Sequence, residues 1–362
     1  MTNVVAFKSP TDPAPRDWHA SIIQNFACHR KDAGDVYWLK ENAELLSILN
    51  AIQGTSHGVP HDALAPYRNF YDHALEKLRF FPQYYRFLIS ITLDLEDLGV
   101  TGTIGRQLAE VAWHAQLPRA EISDLQRAEA GLLLARRGVG DQDDALWERL
   151  WSFAGHSATF AVPNKKVAYE LTHIIFYATR YGKVPVQVDV QTRQSLEYAG
   201  IIAFLECDAD VLAEVCLALR YCGCLPSQIW ENWLCATQGG YHFVQEYAGG
   251  HSDAYHPYLV THWWAHAAGR EVPQAAVPTG VFRIENQATG YSPLRALSKC
   301  LYEMGDQRSG DWPAMRARVY DAMSAPQIKH LALAEASSSQ FDAFFDIFAR
   351  AGTAPSLRSI RR

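Results

Sequence analysis

The spacing of apolar residues constrains this chain more than any other feature, and it is helical from Asp17 almost to residue 350. In GDVYWLKENAELLSILNAIQ (34–53), Leu45, Ile48, Leu49 and Ile52 recur three and four apart, the stripe that one face of an α-helix buries. The same period runs through HDALAPYRNFYDHALEKLRFF, PQYYRFLISITLDLEDLG, TIGRQLAEVAWHAQ and RAEISDLQRAEAGLLLARRG, each closed by a following proline or a glycine. DQDDALWERLWSFAG opens on three acids, which suit a helix N-terminus, and its stripe is Leu146, Leu150 and Phe153. About fourteen helical segments can be drawn in this way. Short links between them favour antiparallel neighbours. The expectation is an all-α fold of paired antiparallel helices forming one large domain over residues 17–350.

The bulk properties agree. Of 362 residues, 48% are hydrophobic and 20% charged, enough for a large core and too apolar for disorder. A net charge of −6 gives no general attraction to nucleic acid or anionic membranes, and the basic tail at 351–362 (SLRSIRR) is too short to change that. No stretch approaches the ~18 apolar residues of a membrane span. The polar, proline-bearing lead at 1–16 has none of the parts of a secretion signal. Seven cysteines, an odd number without a repeat, fit a reduced, cytoplasmic protein.

Two places break the helical pattern. Val184, Val186, Val188 and Val190 alternate in KVPVQVDVQ, a strand signal that Pro185 limits to an edge or an extended connector. GVFRI (280–284) reads as a short strand, so at most a minor β-hairpin is expected. Glycine pairs at 239–240 and 249–250 bracket YHFVQEYA, which suits either a lid over a pocket or a long surface loop.

The helix at 163–181 carries the first chemical signal. Ala168, Leu171, Ile175 and Ala178 share one side, while Glu170, His173 and Tyr177 lie in a narrow arc opposite. Tyr169 and Phe176 flank that arc, which is more aromatic than a wet face. A stripe turned toward an internal cavity accounts for both. Carboxylate and imidazole one turn apart can bind one metal, and Glu170-x-x-His173 resembles the pairs of carboxylate-bridged di-iron bundles. DAYH supplies a second pair, Asp253 and His256, with Asp in place of Glu; Asp210 and Glu214, one turn apart, are the candidate carboxylates to join them.

In ECDAD, Asp208 suits the cap of the following helix, and Cys207 at that helix end could be a thiolate or a metal ligand. His262 and His266 stand at i, i+4 on PYLVTHWWAHAAG, a spacing that can chelate, although a pair of surface histidines is the plainer reading. No phosphate loop, dinucleotide fingerprint or nucleophile elbow occurs.

Later in the chain, QRSGDW (Gln307, Gly310, Trp312) resembles the glutamine–glycine–tryptophan repeat of the terpene cyclase α/α-toroid enzymes, over six residues and once. That resemblance implies a ring of helical hairpins around a central hollow. Within such a ring, Cys207, Asp210 and His256 or His173 would resemble the zinc site of protein prenyltransferases. The expected function is a metal-dependent or acid–base enzyme for a small, largely apolar substrate, in a cavity lined by helices 163–181, 207–223 and 256–268. Zinc or iron would be held among Glu170, His173, Cys207, Asp210, Asp253 and His256, with Tyr177 as proton donor or substrate anchor; without a metal, Glu170 and His173 would form an acid–base pair. The competing expectation is a non-catalytic scaffold whose grooves bind a peptide or partner.

Overall fold

The computed structural model describes residues 18–53, 59–245, 253–271, 277–278, 280–287 and 290–351. The lead at 1–16, the second glycine pair and all but the first residue of the basic tail lie outside these. The described chain is helical almost throughout. In order come α1 (Trp18–Cys28), α2 (Val36–Ile52), α3 (Arg68–Asp72), α4 (Ala74–Phe80), α5 (Tyr85–Asp97), α6 (Ile104–His114), α7 (Asp124–Ala135), α8 (Asp144–Ala154) and α9 (Lys165–Ala178). Then follow α10 (Val190–Glu206), α11 (Ala209–Tyr221), α12 (Gln228–Gln238), β1 (Tyr241–Gln245), α13 (Tyr255–Ala267), β2 (Phe282–Asn286), α14 (Leu294–Glu303), α15 (Trp312–Asp321), α16 (Ala325–Ser337) and α17 (Phe341–Ala349). The fold is all-α with one minor hairpin. No described helix is long and apolar enough to cross a membrane.

Short polar residues start the helices, because their side chains accept from amides that no helical carbonyl reaches. Asp35 accepts from the Tyr37 amide, Asn164 from Val167, Asp189 from Thr192, and Asp208 from both Asp210 and Val211.

Six helices touch in a closed circuit: α2 on α5, α5 on α7, α7 on α9, α9 on α11, α11 on α13, and α13 back on α2. Several of these neighbours are in step. Arg86 and Asp94 of α5 meet Glu129 of α7 and Arg136 at its end. Tyr169 and Thr172 of α9 meet Asp210 and Glu214 of α11. Asp210 and Tyr221, at the two ends of α11, meet His256 and Trp263 of α13. Since both members of each pair advance together along the chain, these neighbours run the same way. The intervening helices α6, α8, α10 and α12 each pack on both circuit helices that they connect. Close packing is visible at Gly200 of α10, where a Cβ would stand 2.5 Å from the Trp230 indole of α12.

Three expectations change. Residues 184–189 form no strand: Pro185 has no amide for a ladder, Asp189 caps α10, and Val190 is its 77% exposed first residue. The stripe of α8 is Leu146, Leu150 and Ala154, while Phe153 is exposed at its edge and meets Phe160. The segment read as a lid or loop opens with β1, which pairs antiparallel with β2, Tyr241 opposite Asn286 and Gln245 opposite Phe282. Phe243 packs there on Tyr258 and Phe282. The strand expected at GVFRI is β2, displaced by two residues.

Trp312, the tryptophan of QRSGDW, is buried at the start of α15 against Phe341 and Phe345 of α17. Neither helix belongs to the six-helix circuit, so here this tryptophan serves local packing.

Candidate metal centre

The centre is built from a tight reversal. Cys207 ends α10 with φ +58°, its amide bonds to Phe204, and the Asp208 amide bonds to the Ala203 carbonyl. Asp208 then caps α11 at once. Only two residues separate the helices, so α11 doubles back with Asp210 in its first turn and Glu214 one turn later on the same face. The partial positive charge of the helix start favours an ionised Asp210.

Each carboxylate is held from α9. The Tyr169 hydroxyl donates to Asp210 Oδ2 at 2.5 Å and Thr172 Oγ1 donates to Glu214 Oε2 at 2.5 Å. From α13, His256 Nδ1 lies 2.9 Å from Asp210 Oδ1; as a carboxylate only accepts, Nδ1 carries the proton. His256 Nε2 then faces Glu44 Oε1 of α2 at 3.9 Å. The Tyr255 hydroxyl donates to Glu44 at 2.9 Å. His173 Nδ1 donates to the Tyr169 carbonyl at 2.8 Å and lies 3.7 Å from Glu214 Oε2, which leaves its Nε2 as the free acceptor. Lys165, at the outer edge, pairs with Asp208 at 2.7 Å and reaches to 3.8 Å from Asp210.

These neighbours set the charges. Burial pushes the Glu214 carboxyl up to about 8, and the Asp210 charge adds to the rise. Burial also opposes ionisation of Asp210, but the His256 hydrogen bond and charge, with Tyr169 and Lys165, hold it below its ordinary value. Burial works against a charged His256, yet Asp210, Glu44 and Glu214 outweigh it and raise the imidazole to about 9. His173 is lowered by desolvation. At neutral pH the metal-free cluster is an ionised aspartate, an imidazolium and a protonated glutamic acid.

One ligand atom each from Asp210, Glu214 and His256 lies within 4.8 Å of the others, and among the described residues no other trio of potential ligands is so gathered. Ligands about 2.1 Å from one ion are at most about 4.2 Å apart, so small side-chain rotations would close the set.

Of the residues singled out in the sequence, the structure brings together His173, Asp210, Glu214 and His256, and leaves three aside. Glu170 has no hydrogen bond or ion pair among the described residues, because its carboxylate lies off the face that meets α11. Asp253 is corrected from ligand to structural anion: both oxygens take the Arg30 guanidinium at 2.7 and 2.9 Å, plus the amides of Ile284 and Tyr255. Cys207 is likewise no ligand of this cluster. Its Sγ is 3.7 Å from His330 Nε2, and burial pushes the thiol up to about 11, away from the thiolate a metal needs. Tyr177 packs its buried ring on His173 and Tyr181, and lines a cleft of about 890 Å³ with Trp113, Trp147 and Trp151.

Sequence reasoning missed Glu44, whose i, i+4 spacing from Lys40 looks like an ordinary surface pair. It also missed Glu129, which Arg86 binds and whose charge weighs on His173, Tyr177 and Tyr181.

A family profile described as "Domain of unknown function (DUF6902)" matches residues 1–351. The chain belongs to that family. No curated protein and no solved structure matches it. For this DUF6902 chain, the site's chemistry therefore rests on its own geometry.

Proposed function

We propose that the chain is a metal-dependent enzyme acting on a small, largely apolar substrate, with zinc or iron held by Asp210, Glu214 and His256. The observation that carries this reading is the convergence of two buried carboxylates and a half-buried imidazole, from two helices, within 4.8 Å. Burying such groups is costly, and interiors keep them where they are paired or have a task. A carboxylate–imidazole set suits zinc or iron(II). A bound ion would polarise a substrate oxygen or lower the pKa of its water.

The chain's own residues supply the rest. Tyr169 and Thr172 fix the two carboxylates, and Glu44 places a charge 3.9 Å from the outer nitrogen of His256. His173 keeps 33% of its side chain accessible although desolvation lowers its pKa, which fits a neutral imidazole facing an interior recess. Its free Nε2 is then placed to accept a proton. Beside it, Phe176, Tyr181, Tyr221 and Trp263 form an aromatic wall suited to an apolar substrate. We read the closed six-helix circuit as an α/α toroid whose inner face carries this wall and the cluster. A raised Glu214 beside an Asp210–His256 ion pair also supports a second reading, metal-free acid–base catalysis by the same residues.

Metal analysis of full-length, tag-free protein tests the choice. The metal reading expects about one equivalent of zinc or iron, lost in His256→Ala and retained in Asp253→Asn. Protein without stoichiometric metal, and without thermal stabilisation when zinc or iron(II) is added after chelation, would overturn it.

A further inference from the structure

The cleft of about 890 Å³ lies among α6, α7, α8 and the end of α9, and none of Asp210, Glu214 and His256 lines it. Its volume is that of a small-molecule site. Trp113 of α6, Trp147 and Trp151 of α8 and Tyr177 of α9 form the aromatic part of the lining. The two α8 indoles stand one turn apart, with centroids at 6.2 Å and planes 33° from parallel. Such faces suit a flat apolar body.

The polar groups left unspent on this lining are mainly donors. The indole N–H groups of Trp113, Trp147 and Trp151 have no hydrogen bond among the described residues, and unlike those of Trp230 and Trp312 they are not sealed in the core. Tyr177 is only 6% exposed, yet its hydroxyl has no partner among the described residues either. Burial pushes that phenol well above its ordinary value, so the proton stays on and can be donated. A hydroxyl so withdrawn from water is costly until an acceptor reaches it.

Arg119 and Arg180 add charge to these donors. Both are exposed on the lining and hold no ion pair or side-chain hydrogen bond among the described residues, whereas Arg127 is tied to the Glu121 carbonyl and to Asp124. Arg180 and Tyr181 both have left-handed φ, +50° and +57°. Strain of this kind persists where the surroundings over-determine it. Here Tyr181 is packed on Phe176 and Trp263, which leaves Arg180 at the cleft. The carboxylates of the lining gather at 141–144. Asp143 is committed to the Leu146 amide, Asp144 accepts from Gln142, and the start of α8 offsets their charge. Of these three, Asp141 alone has no partner among the described residues.

We propose that this cleft binds an aromatic carboxylate, its rings against the tryptophans and its oxygens taken by the unspent donors, with Arg119 and Arg180 supplying the opposite charge. The site is independent of the Asp210 cluster and would stand if that cluster bound no metal.

Calorimetric titration of full-length protein with naphthoate, neutral naphthamide and cationic naphthylmethylammonium tests this. Chelator is kept present, so that no metal at the Asp210 cluster captures the acid. Naphthoate should bind at about one per chain with a Kd on the order of 100 µM, about tenfold tighter than the amide or the ammonium. Arg119→Gln with Arg180→Gln should erase that preference; both side chains are exposed, so this variant changes nothing in the core. Tyr177→Phe keeps the ring on His173 and Tyr181 and should weaken naphthoate about threefold or more. The proposal is overturned by no saturable uptake of naphthoate below about 2 mM, by an amide or ammonium that binds as tightly, or by naphthoate binding indifferent to the arginine pair or to Tyr177→Phe.

Discussion

Helix α13 carries one side chain into two opposite situations. At its start His256 is raised to about 9, and two turns later His262 is held near 3. Both imidazoles are largely withdrawn from water, and burial alone pulls each down. The difference is the company. His256 meets Asp210 at 2.9 Å with Glu44 and Glu214 nearby, whereas His262 meets the Trp18 indole and the His266 imidazole. Burial thus sets the cost of a charge, and neighbouring carboxylates decide whether the charge is kept.

Removing the imidazolium should break the comparison most severely. In metal-free protein, His256→Ala leaves the buried Asp210 carboxylate with Lys165, 3.8 Å away, as its remaining cation. We expect a loss of about 3–5 kcal/mol, read from the urea midpoint. A loss under about 1 kcal/mol would mean the pair behaves like a surface contact. The anion at the other end of the sequence-matched pair should respond differently. Asp253→Asn weakens the buried Arg30 contact and should cost about 2 kcal/mol with metal content unchanged, because Asp253 holds α13 and β2 to Arg30 and lies outside the ligand set.

The pH dependence of the metal-free protein follows from the same charges. His256 has a folded value near 9 against 6.5 in the unfolded chain, so its contribution is complete below about pH 6.5 and gone above about 9. Glu214 has a folded value near 8 against 4.5, so folding favours its protonated form and the benefit is lost as pH rises toward 8. Both slopes have one sign. Asp210, held low, acts only on the acid side, where stability is lost as pH falls below its unfolded value. Urea titrations with chelator present should therefore show stability falling from pH 6.5 to 9, with a shallower fall in Glu214→Gln. A rise across that window would contradict the assigned charges. Metal affinity should climb over the same window, as ligation displaces these protons.

The fold was largely legible because burial repeats every three to four residues along each helix, and caps such as Asp208 announce themselves locally. The site was legible only in part. His173 stood out as an imidazole on an apolar helix, and Asp210 and His256 were individually visible. Their meeting depends on the α10–α11 reversal and on α13 lying against α11, which no local spacing encodes. Glu44 was hidden because its pattern with Lys40 is that of a solvated pair. Asp253 misled for the converse reason: its spacing from His256 copies Glu170–His173, but the carboxylate turns to Arg30. The valine alternation at 184–190 was real in sequence, yet Asp189 and Pro185 give that stretch to a connection and a helix start.

The smallest expected effect is also the sharpest contrast with His256. His262→Phe places a ring of similar volume against Trp18 and removes Nδ1, a buried atom with no hydrogen-bond partner in the metal-free protein. The loss of the His266 contact is offset by the loss of that unsatisfied group and by an aromatic stack that needs no proton. Metal-free stability should change by less than about 1 kcal/mol, and its pH dependence between 6 and 9 should be untouched, since His262 is already neutral there. A loss comparable to that of His256→Ala, in chelator-treated protein, would mean that His262 carries a charge in the fold, and the distinction between the two ends of α13 would fail.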